Sequence, residues 1–325
     1  MSAATPILPR DRLLGALVGL VVGDALGVPV EFGARSERDR DPVQGMRSFG
    51  THLQPVGAWS DDGAMALAHA AAFVAHGWDA QRHLEAFLAW RDQGAWTAHG
   101  RVFDIGLATR AALDRFQRGR PLHEIGGRRE RDNGNGSLMR ILPVSCWWAG
   151  APLATTLSAV GEASALTHAH VRSRLCCAWH ALIVDGLLSR RTLPDLLRSA
   201  GHVLSEHIPA TERANFAPLT DASCLDLTRA LVPSDGHVIS TLIAACWCLH
   251  RHADYADAVL EAVNLGDDTD TTAAVTGGLA GLRCGLTGIP RAWVGCLPRR
   301  VAVLALAERF ADACLRHGMV PCDGR

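Results

Sequence analysis

We predict an all-α fold from three features of the sequence. Ala and Leu dominate, runs of β-branched residues are short and Tyr occurs once, so intrinsic preference favours helix nearly everywhere. Apolar residues recur three and four positions apart in about a dozen segments, which is the period of a helix with one buried face. Hydrophobic residues make up 48% of the 325 residues, enough for a substantial core. No linker or composition shift marks a boundary, so we predict one compact globular domain over residues 1–325, with residues 1–10 as a loose N-terminal tail.

The first predicted helix covers residues 13–30, where an apolar run follows Arg10 and Arg12. A signal peptide has the same outline. However, Asp24 interrupts the run, no clean cleavage site follows, and the uninterrupted apolar part is too short to span a bilayer. We therefore predict a buried helix. Glycine recurs every four residues along it, at Gly15, Gly19, Gly23 and Gly27. Such a stripe allows a second backbone to approach closely.

The remaining elements follow from the same periodicity. The clearest helical patterns cover residues 79–91, 153–166, 168–188, 238–250 and 301–315. Residues 33–56 and 119–135 lack this period and are rich in Arg, Asp and Gly, so we predict long surface loops there. A weak strand in residues 47–53 remains an alternative.

Composition narrows the choice of partner and compartment. The formal net charge is −1, so no overall basic field draws the protein to nucleic acid or to an anionic membrane. The ten cysteines are dispersed, lie mostly in apolar helical patterns and form no CxxC motif. Free cysteine in such positions behaves as a small hydrophobic residue, which predicts a reducing, cytoplasmic environment.

Two short acidic clusters are the most informative feature of the chain. Ser60, Asp61 and Asp62 follow Trp59 and open an apolar helical pattern, and residues 267–271 open another much later in the sequence. Carboxylates crowded this tightly repel one another and are costly to bury, so a fold that brings them together usually does so around a cation. Oxygen ligands without His or Cys indicate a hard ion, Mg²⁺ or Mn²⁺.

Helix capping is the alternative interpretation of both clusters. Ser60 or Asp61 can cap the helix that follows, which would make the first cluster the start of a surface helix with spare acids. A solvated turn would tolerate the second cluster, Asp267-Asp268-Thr269-Asp270-Thr271. Its carboxylates and hydroxyls follow one another closely, so they can also face one or two cations from a single helix start.

Four segments together resemble the ADP-ribosylglycohydrolase family. They are residues 15–31, with the sequence GALVG, GDALG and Glu31; residues 59–65, WSDDGAM; residues 134–140, GNGSLMR; and residues 266–271, GDDTDT. Each segment alone is weak evidence. Their order and spacing span nearly the whole chain, which makes the set highly specific.

The resemblance implies an all-α fold around a central cleft that holds a pair of Mg²⁺ ions, with Mn²⁺ as a possible substitute. The matching positions imply six metal ligands, which are Ser60, Asp61, Asp62, Asp268, Asp270 and Thr271. Glu31 falls where some relatives place a glutamate that acts as a ligand, a gate or an acid/base. Glu31, Asp61 and Asp62 are therefore the candidate catalytic residues.

The resemblance also implies contacts to ADP-ribose. The loop of Gly134, Asn135, Gly136 and Ser137 leads into a helical pattern at residues 138–140, so its backbone N–H groups and a helix N-terminus are expected to cradle the diphosphate. A simple turn is the alternative.

Two further residues resemble family positions near the cleft. His168 is expected to contact the ligand or to be a histidine bonded to backbone at a helix start, and the neighbouring His170 is expected to be structural. Asp104 is expected either to receive a guanidinium leaving group or to cap the next helix.

Four positions depart from the family pattern. Ser60 replaces Thr and keeps the hydroxyl, whereas Gly63 replaces a second Thr and removes one, which puts a ligand or a support of the first ion in doubt. Asp267 replaces Gly and adds a carboxylate that either alters metal affinity or faces solvent. Val171 replaces a frequent Pro.

The predicted activity is magnesium-dependent hydrolysis that removes ADP-ribose from a modified target. We favour arginine on a protein as the acceptor and leave open serine, the O-acetyl ester and other linkages. The partners are then the ADP-ribosylated target and the product ADP-ribose, with no membrane and no broad nucleic-acid surface. A noncatalytic ADP-ribose-binding or structural relative is the alternative of another class. A His-Asp phosphohydrolase is excluded because the chain lacks a His-Asp dipeptide.

Overall fold

The computed structural model describes residues 8–318 and confirms the all-α fold. Sixteen α-helices and no β-strands occupy the described residues. The helices are α1 (Pro9–Gly27), α2 (Arg35–Arg40), α3 (Asp61–His76), α4 (Ala80–Gln93), α5 (Leu107–Gln117), α6 (Leu122–Ile125), α7 (Leu142–Trp147), α8 (Leu153–Ala165), α9 (Val171–Leu188), α10 (Leu193–Leu204), α11 (Arg213–Thr220), α12 (Val238–Arg251), α13 (Tyr255–Asn264), α14 (Thr269–Cys284), α15 (Arg291–Cys296) and α16 (Arg300–His317).

The N-terminal tail is shorter than the prediction. Helix α1 already begins at Pro9, and Arg10 on it forms an ion pair with Asp312 on α16, 2.7 Å between Nε and Oδ1. The last two residues of the predicted tail are therefore helical. Residues 1–7 lie outside the described part of the chain.

The predicted loops contain more structure than their composition indicated. Helix α2 lies within residues 33–56 because Arg35 donates hydrogen bonds to three distant backbone carbonyls, those of Leu265, Arg229 and Val232. Residues 119–135 contain the short helix α6. The weak strand reduces to one antiparallel bridge between Phe49 and Gln54. Long-range contacts, which have no periodic signal, stabilise these short helices.

The predicted helix over residues 168–188 begins later, at Val171. Its first residues pair instead with the loop before α7, where the backbone N–H of Ala169 donates to the Gly127 carbonyl at 2.7 Å. The ring of His170 then caps α9 by accepting from the Arg172 N–H. This confirms a structural role for His170.

Backbone contact between α1 and α14 forms the centre of the domain. A Cβ added at Gly15 would lie 2.3 Å from the Gly281 carbonyl oxygen, and one added at Gly19 would lie 2.5 Å from that of Gly277. The residue numbers of the α14 partners fall as those of α1 rise, and Gly27 at the end of α1 lies against Asp270. The two helices are therefore antiparallel, and the close approach predicted from the glycine stripe is confirmed.

The same pairing brings the acidic ends of the helices together. The Thr269 hydroxyl donates to the Gly27 carbonyl at 2.8 Å, which ties the start of α14 to the end of α1. The hydroxyl of Tyr255 donates to the Gly19 carbonyl at 2.7 Å. The N-terminus of α14 thus lies close in space to Asp24 and Glu31, although it is far from both in sequence.

Helix α1 is a core helix, as predicted. Among the described residues, one helix, Pro9–Val30, is long and apolar enough to cross a membrane by length and composition. All residues of its apolar window are buried inside the domain. The hydrophobic surface that a membrane would cover is here covered by α14 and its neighbours.

The tight contact gives a stability prediction. We expect Gly19→Ala to lower the free energy of unfolding by about 1–3 kcal/mol or more, because the added methyl overlaps the fixed Gly277 backbone. Gly295→Ala in α15 is the matched control: its added Cβ would lie 3.9 Å from the tip of Arg300, so helix propensity should raise stability by up to about 1 kcal/mol. Urea unfolding followed by circular dichroism measures both. Equal midpoints for Gly19→Ala and the wild type would contradict the packing.

Candidate active site

A cleft of about 340 Å³ lies where the ends of α1, α3 and α14 meet the loop before α7. Most of the predicted site residues line it. They are Glu31, Asp61, Asp62, Asp104, Gly134, Asn135, Gly136, His168, Asp268 and Thr271. Three predicted residues, Ser60, Ser137 and Asp270, are buried behind the lining. The fold therefore brings the two acidic clusters and the glycine-rich loop to one place.

The two acidic clusters are in direct contact. The Thr271 hydroxyl donates to Asp62 Oδ1 at 3.3 Å. Asp24, Asp62 and Asp270 have carboxylate oxygens within 4.8 Å of one another, and so do Glu31, Asp268 and Asp270. Asp270 belongs to both groups. Two adjacent triads of oxygen donors that share one carboxylate have the composition of a site for two neighbouring hard cations.

Asp24 is a site residue that sequence reasoning missed. Its carboxylate accepts hydrogen bonds from the backbone N–H of Ser60 at 2.9 Å and of Gly63 at 2.7 Å. Asp24 thus binds the N-terminus of α3 and fixes the first acidic cluster against α1. The sequence showed only an acid interrupting an apolar run, and its place in the GDALG segment was the one available signal.

Burial keeps these carboxylates from ionising easily. It raises the pKa of Asp24 to about 7, although the Ser60 and Gly63 amides oppose the shift. Burial, reinforced by neighbouring carboxylates, raises the pKa of Asp61, Asp62 and Asp270 well above the usual range. Burial therefore disfavours the charged form of each of these groups when no cation is bound. A bound cation reverses this preference, since it favours the ionised form.

One oxygen gives a direct test of fit to a cation. Asp62 Oδ2 is buried and has no hydrogen-bond partner among the described residues. A buried polar atom of this kind is normally paired with protein, water or an ion. Because it belongs to a side chain in the Asp24 triad, the donor set fits a hard divalent ion.

The interpretation of the first cluster as a surface helix with spare acids is wrong. Ser60 does cap α3, since its hydroxyl accepts from the Asp62 N–H at 3.3 Å. The acids themselves are not on the surface, because Asp61 is 7% and Asp62 is 1% exposed. Capping needs one of the three side chains, and the other two are buried at the cleft.

Two of the family departures now have a structural account. Position 63 faces Asp24, and an added Cβ would lie 2.9 Å from Asp24 Oδ2, so glycine leaves room for this carboxylate. Asp267 has φ of 59°, a left-handed conformation that favours glycine. Its side chain is exposed and accepts from the Ser234 hydroxyl at 2.8 Å, outside both carboxylate triads.

The glycine-rich loop differs from the prediction in one respect. Residues 136–140 form turns, and α7 begins only at Leu142, so a helix N-terminus does not follow the loop directly. The Asn135 side chain donates to Asp268 Oδ2 at 2.6 Å and to Thr241, which positions a predicted metal ligand. Ser137 is fully buried and accepts from Ser164.

The lining of the cleft near the glycine-rich loop carries hydrogen-bond donors. His168 lies against the loop: a Cβ added at Gly136 would be 3.2 Å from its Nε2. The hydroxyl of Thr109 on α5 is buried in the lining without a partner among the described residues. Arg131 lines the same cleft. Thr109 and Arg131 were missed because an isolated Thr or a surface Arg has no distinguishing pattern.

The mouth of the cleft combines carboxylates with aromatic rings. Glu31, His52 and Asp104 have ligand atoms within 4.8 Å of one another, and His52 Nε2 contacts Glu31 Oε2. The His52 ring lies 5.9 Å from that of Phe32 and 5.3 Å from that of Phe103. Asp104 does not cap α5, whose N-cap is Gly106 without a side-chain bond. Two acids and two aromatic rings thus surround the entrance.

Comparisons with known proteins agree on one family. The family model described as ADP-ribosylglycohydrolase matches residues 5–318. The chain is 33% identical over 316 residues to the ADP-ribosylarginine hydrolase Tri1 of Pseudomonas putida (strain GB-1), covering 95% of this chain and 80% of that protein. It is 28% identical to the ADP-ribosyl-[dinitrogen reductase] glycohydrolase of Rhodospirillum rubrum, covering 92% and 97%.

A solved structure shows the same fold. It is described as an ADP-ribosylglycohydrolase-related protein complex, with a TM-score of 0.80 and 30% identity over 94% of this chain and 99% of that chain.

Burial of unpaired carboxylates gives a metal-binding prediction. We expect millimolar Mg²⁺ to raise the melting temperature relative to EDTA, since a ligand at about 100 times its Kd stabilises the folded state by about 2.7 kcal/mol. Asp62→Asn should abolish this increase without lowering the melting temperature in EDTA, because the amide cannot ionise in its buried position and its oxygen can still accept the Thr271 hydrogen bond. Differential scanning calorimetry measures both.

Asp267→Asn is the matched control, since Asp267 is exposed and belongs to neither triad. It should keep the full response to Mg²⁺. A response that survives Asp62→Asn but disappears in Asp267→Asn would place the cation elsewhere.

Proposed function

Because the chain belongs to the ADP-ribosylglycohydrolase family and is a hydrolase of ADP-ribosyl glycosidic bonds, we propose that it depends on magnesium and releases ADP-ribose from modified arginine side chains of proteins. The observation that carries this proposal is the pair of carboxylate triads sharing Asp270 at the floor of the cleft. The family relation supports the reaction class, and the residues that line the cleft are the ones to which we assign roles.

The entrance of the cleft favours arginine as the acceptor. A guanidinium is a planar cation that binds carboxylates through paired N–H groups and packs on aromatic faces. Asp104 and Glu31 supply carboxylates there, with Phe32 and Phe103 on either side of His52. A serine or acetyl leaving group is uncharged, so it would form neither the ion pairs with these carboxylates nor the cation–π contacts with these rings. The printed names of two relatives, ADP-ribosylarginine hydrolases, agree with the choice.

The two triads divide the proposed ligands between two Mg²⁺ positions. Asp62 and Asp270 form one triad with Asp24, which also binds the N-terminus of α3, and Asp268 and Asp270 form the other triad with Glu31. Ser60, Asp61 and Thr271 complete the proposed set. Magnesium, when bound, supplies charge that orients ribose hydroxyls and lowers the pKa of water. Mn²⁺ accepts the same oxygen donors.

The remaining chemistry is assigned to side chains of the chain itself. Hydrolysis breaks the bond between C1″ of the ribose and the guanidine nitrogen, adds water at C1″ and returns a proton to the leaving nitrogen. Glu31 is held at the cleft by His52, and its carbonyl accepts from the Thr51 hydroxyl at 2.8 Å. We assign proton transfer to Glu31 and the first-cluster carboxylates Asp61 and Asp62, and binding of the leaving guanidine to Asp104.

The diphosphate is assigned to the part of the lining near the glycine-rich loop. Gly134 and Gly136 line the cleft there, with Arg131, Thr109 and His168 beside them. Donors on one wall and carboxylates on the floor match a substrate that is anionic at its diphosphate and rich in hydroxyls at its ribose. We also propose a cytoplasmic location, which the nine free thiols of the described residues favour.

The acceptor prediction is tested with three substrates. We expect release of ADP-ribose from ADP-ribosylated arginine on protein in Mg²⁺, and a loss of at least about 100-fold in EDTA. Serine-linked ADP-ribose and O-acetyl-ADP-ribose should react far more slowly, because neither offers a guanidinium to Asp104. Chromatography of the released nucleotide measures all three. Preference for the serine or acetyl linkage would contradict the acceptor assignment, and binding without any release would favour the noncatalytic alternative.

A single substitution tests the role of the entrance. Asp104→Asn should lower kcat/KM for arginine-linked substrate by about 100-fold through loss of a charge-assisted contact to the leaving group. Affinity for ADP-ribose should change by no more than about twofold, because the product lacks the guanidine. Asp114→Asn on α5, whose carboxylate pairs with Arg91 on the surface, is the control and should match the wild type. Equal losses in kcat/KM and in affinity for ADP-ribose would indicate that Asp104 contacts the ADP-ribose and not the leaving guanidine.

A further inference from the structure

Arg140 is a buried cation whose acceptors are all neutral. Its side chain is fully buried, and the acceptors that it has within residues 8–318 are a ring nitrogen, a hydroxyl and a backbone carbonyl. Its Nη1 lies 2.7 Å from His69 Nε2, its Nη2 donates to the Thr167 hydroxyl at 2.7 Å, and both approach the Ala163 carbonyl. A charge in this position is costly. It also determines which neighbouring atoms must act as hydrogen-bond acceptors, because a guanidinium can only donate.

The effect extends from Arg140 towards the cleft. Since the Thr167 oxygen accepts from Arg140, its own proton is free to bond elsewhere. Its one further contact among the described residues is His168 Nδ1, at 2.8 Å. If Nδ1 carried the imidazole proton, the buried Thr167 proton would have no acceptor. Nδ1 is therefore the acceptor, and the neutral ring carries its proton on Nε2.

The effect extends equally in the other direction. His69 Nε2 must accept from Arg140, so the His69 proton is on Nδ1 and donates to His83 Nδ1 at 2.6 Å. The His83 proton is then on Nε2 and bonds to the Gly77 carbonyl at 3.1 Å. Burial lowers the pKa of His69, His83 and His168, to about 4 for His83 and about 3 for His168, so all three rings are neutral.

We propose that Arg140 is a positioning residue that, through Thr167, fixes His168 as a neutral Nε2–H donor facing the cleft. Nε2 lies beside Gly134 and Gly136 in the lining, and it has no hydrogen-bond partner within the described part of the chain. The position is then specific for a ligand oxygen that accepts, such as an unprotonated phosphate oxygen, and disfavours a ligand group that donates. This inference rests on the proposed ADP-ribose site for its ligand, whereas the tautomer itself is independent of it.

The tautomer is measured directly by ¹⁵N NMR of the imidazole nitrogens, with the His168 signals assigned by their loss in His168→Ala. In the full-length wild type we expect one species, protonated on Nε2, unchanged between pH 5 and 8. Thr167→Val keeps the shape and removes the relay, so the Nδ1 resonance should shift and the Nδ1–H form should appear. A wild-type ring protonated on Nδ1, or a Thr167→Val spectrum identical to the wild type, would overturn the proposal.

Affinity for ADP-ribose, measured by calorimetry, separates positioning from general stability. We expect His168→Ala to weaken binding about tenfold and Thr167→Val about fivefold, while Thr167→Ser stays within about twofold. The double variant should bind no more weakly than His168→Ala alone, because Thr167 acts only through His168. Losses that multiply in the double variant would overturn the relay.

Thr156→Val is the matched control. Thr156 is buried in α8, and within the described residues its hydroxyl bonds only to the backbone carbonyls of Trp148 and Pro152, so binding should equal that of the wild type. If the wild type itself fails to bind ADP-ribose, the proposed function fails, and the NMR experiment still decides whether the relay through Thr167 sets the His168 tautomer.

Discussion

The backbone contact between α1 and α14 is the constraint on which the site depends. Helices that carry side chains at their contact lie about 8–10 Å apart, whereas glycines on both faces here bring the two backbones into van der Waals contact. The register of this contact places Gly27 against Asp270. Asp24, one turn earlier on α1, therefore lies beside Asp270 and next to the first turn of α3. A wider crossing would move Asp270, the carboxylate that the two triads share, away from Asp24.

Burying these carboxylates lowers the stability of the fold, and hydrogen bonds to them limit that loss. Asp24 accepts backbone N–H groups of α3, Asp268 accepts the Asn135 amide, and Asp62 accepts the Thr271 hydroxyl. These bonds stabilise the acids without neutralising them, since amides and hydroxyls carry no net charge. The unpartnered Asp62 oxygen is the part of the cost that a cation removes. Rigid helix ends, rather than ion pairs, thus hold the acids in place for the ion.

The sequence predicts what is local or periodic. The glycine stripe of α1 predicted a close helix contact, and the clusters at Asp61 and Asp268 predicted that distant acids meet. It could not predict Asp24 as a support of α3, because a lone acid in an apolar run has no partner in its own segment. The start of α7, the buried side of Ser137 and the partners of Arg140 were missed for the same reason. Each depends on which distant backbone lies next to it.

The two sides of the cleft have opposite electrostatic character, and this constrains the order of events. The floor consists of buried carboxyl groups, and under the proposed function any of them that ionise would repel an anionic diphosphate unless a bound cation offset the charge. The lining near the glycine-rich loop includes His168. Arg140 lies too deep to contact a ligand, and in our proposal it acts through Thr167 to keep His168 a neutral donor. A neutral donor attracts phosphate oxygen without competing with the cations for the acids. Under the proposed function, we therefore expect cation binding to precede productive binding of ADP-ribose, and the donors near the glycine-rich loop to bind the nucleotide whichever acceptor it carries.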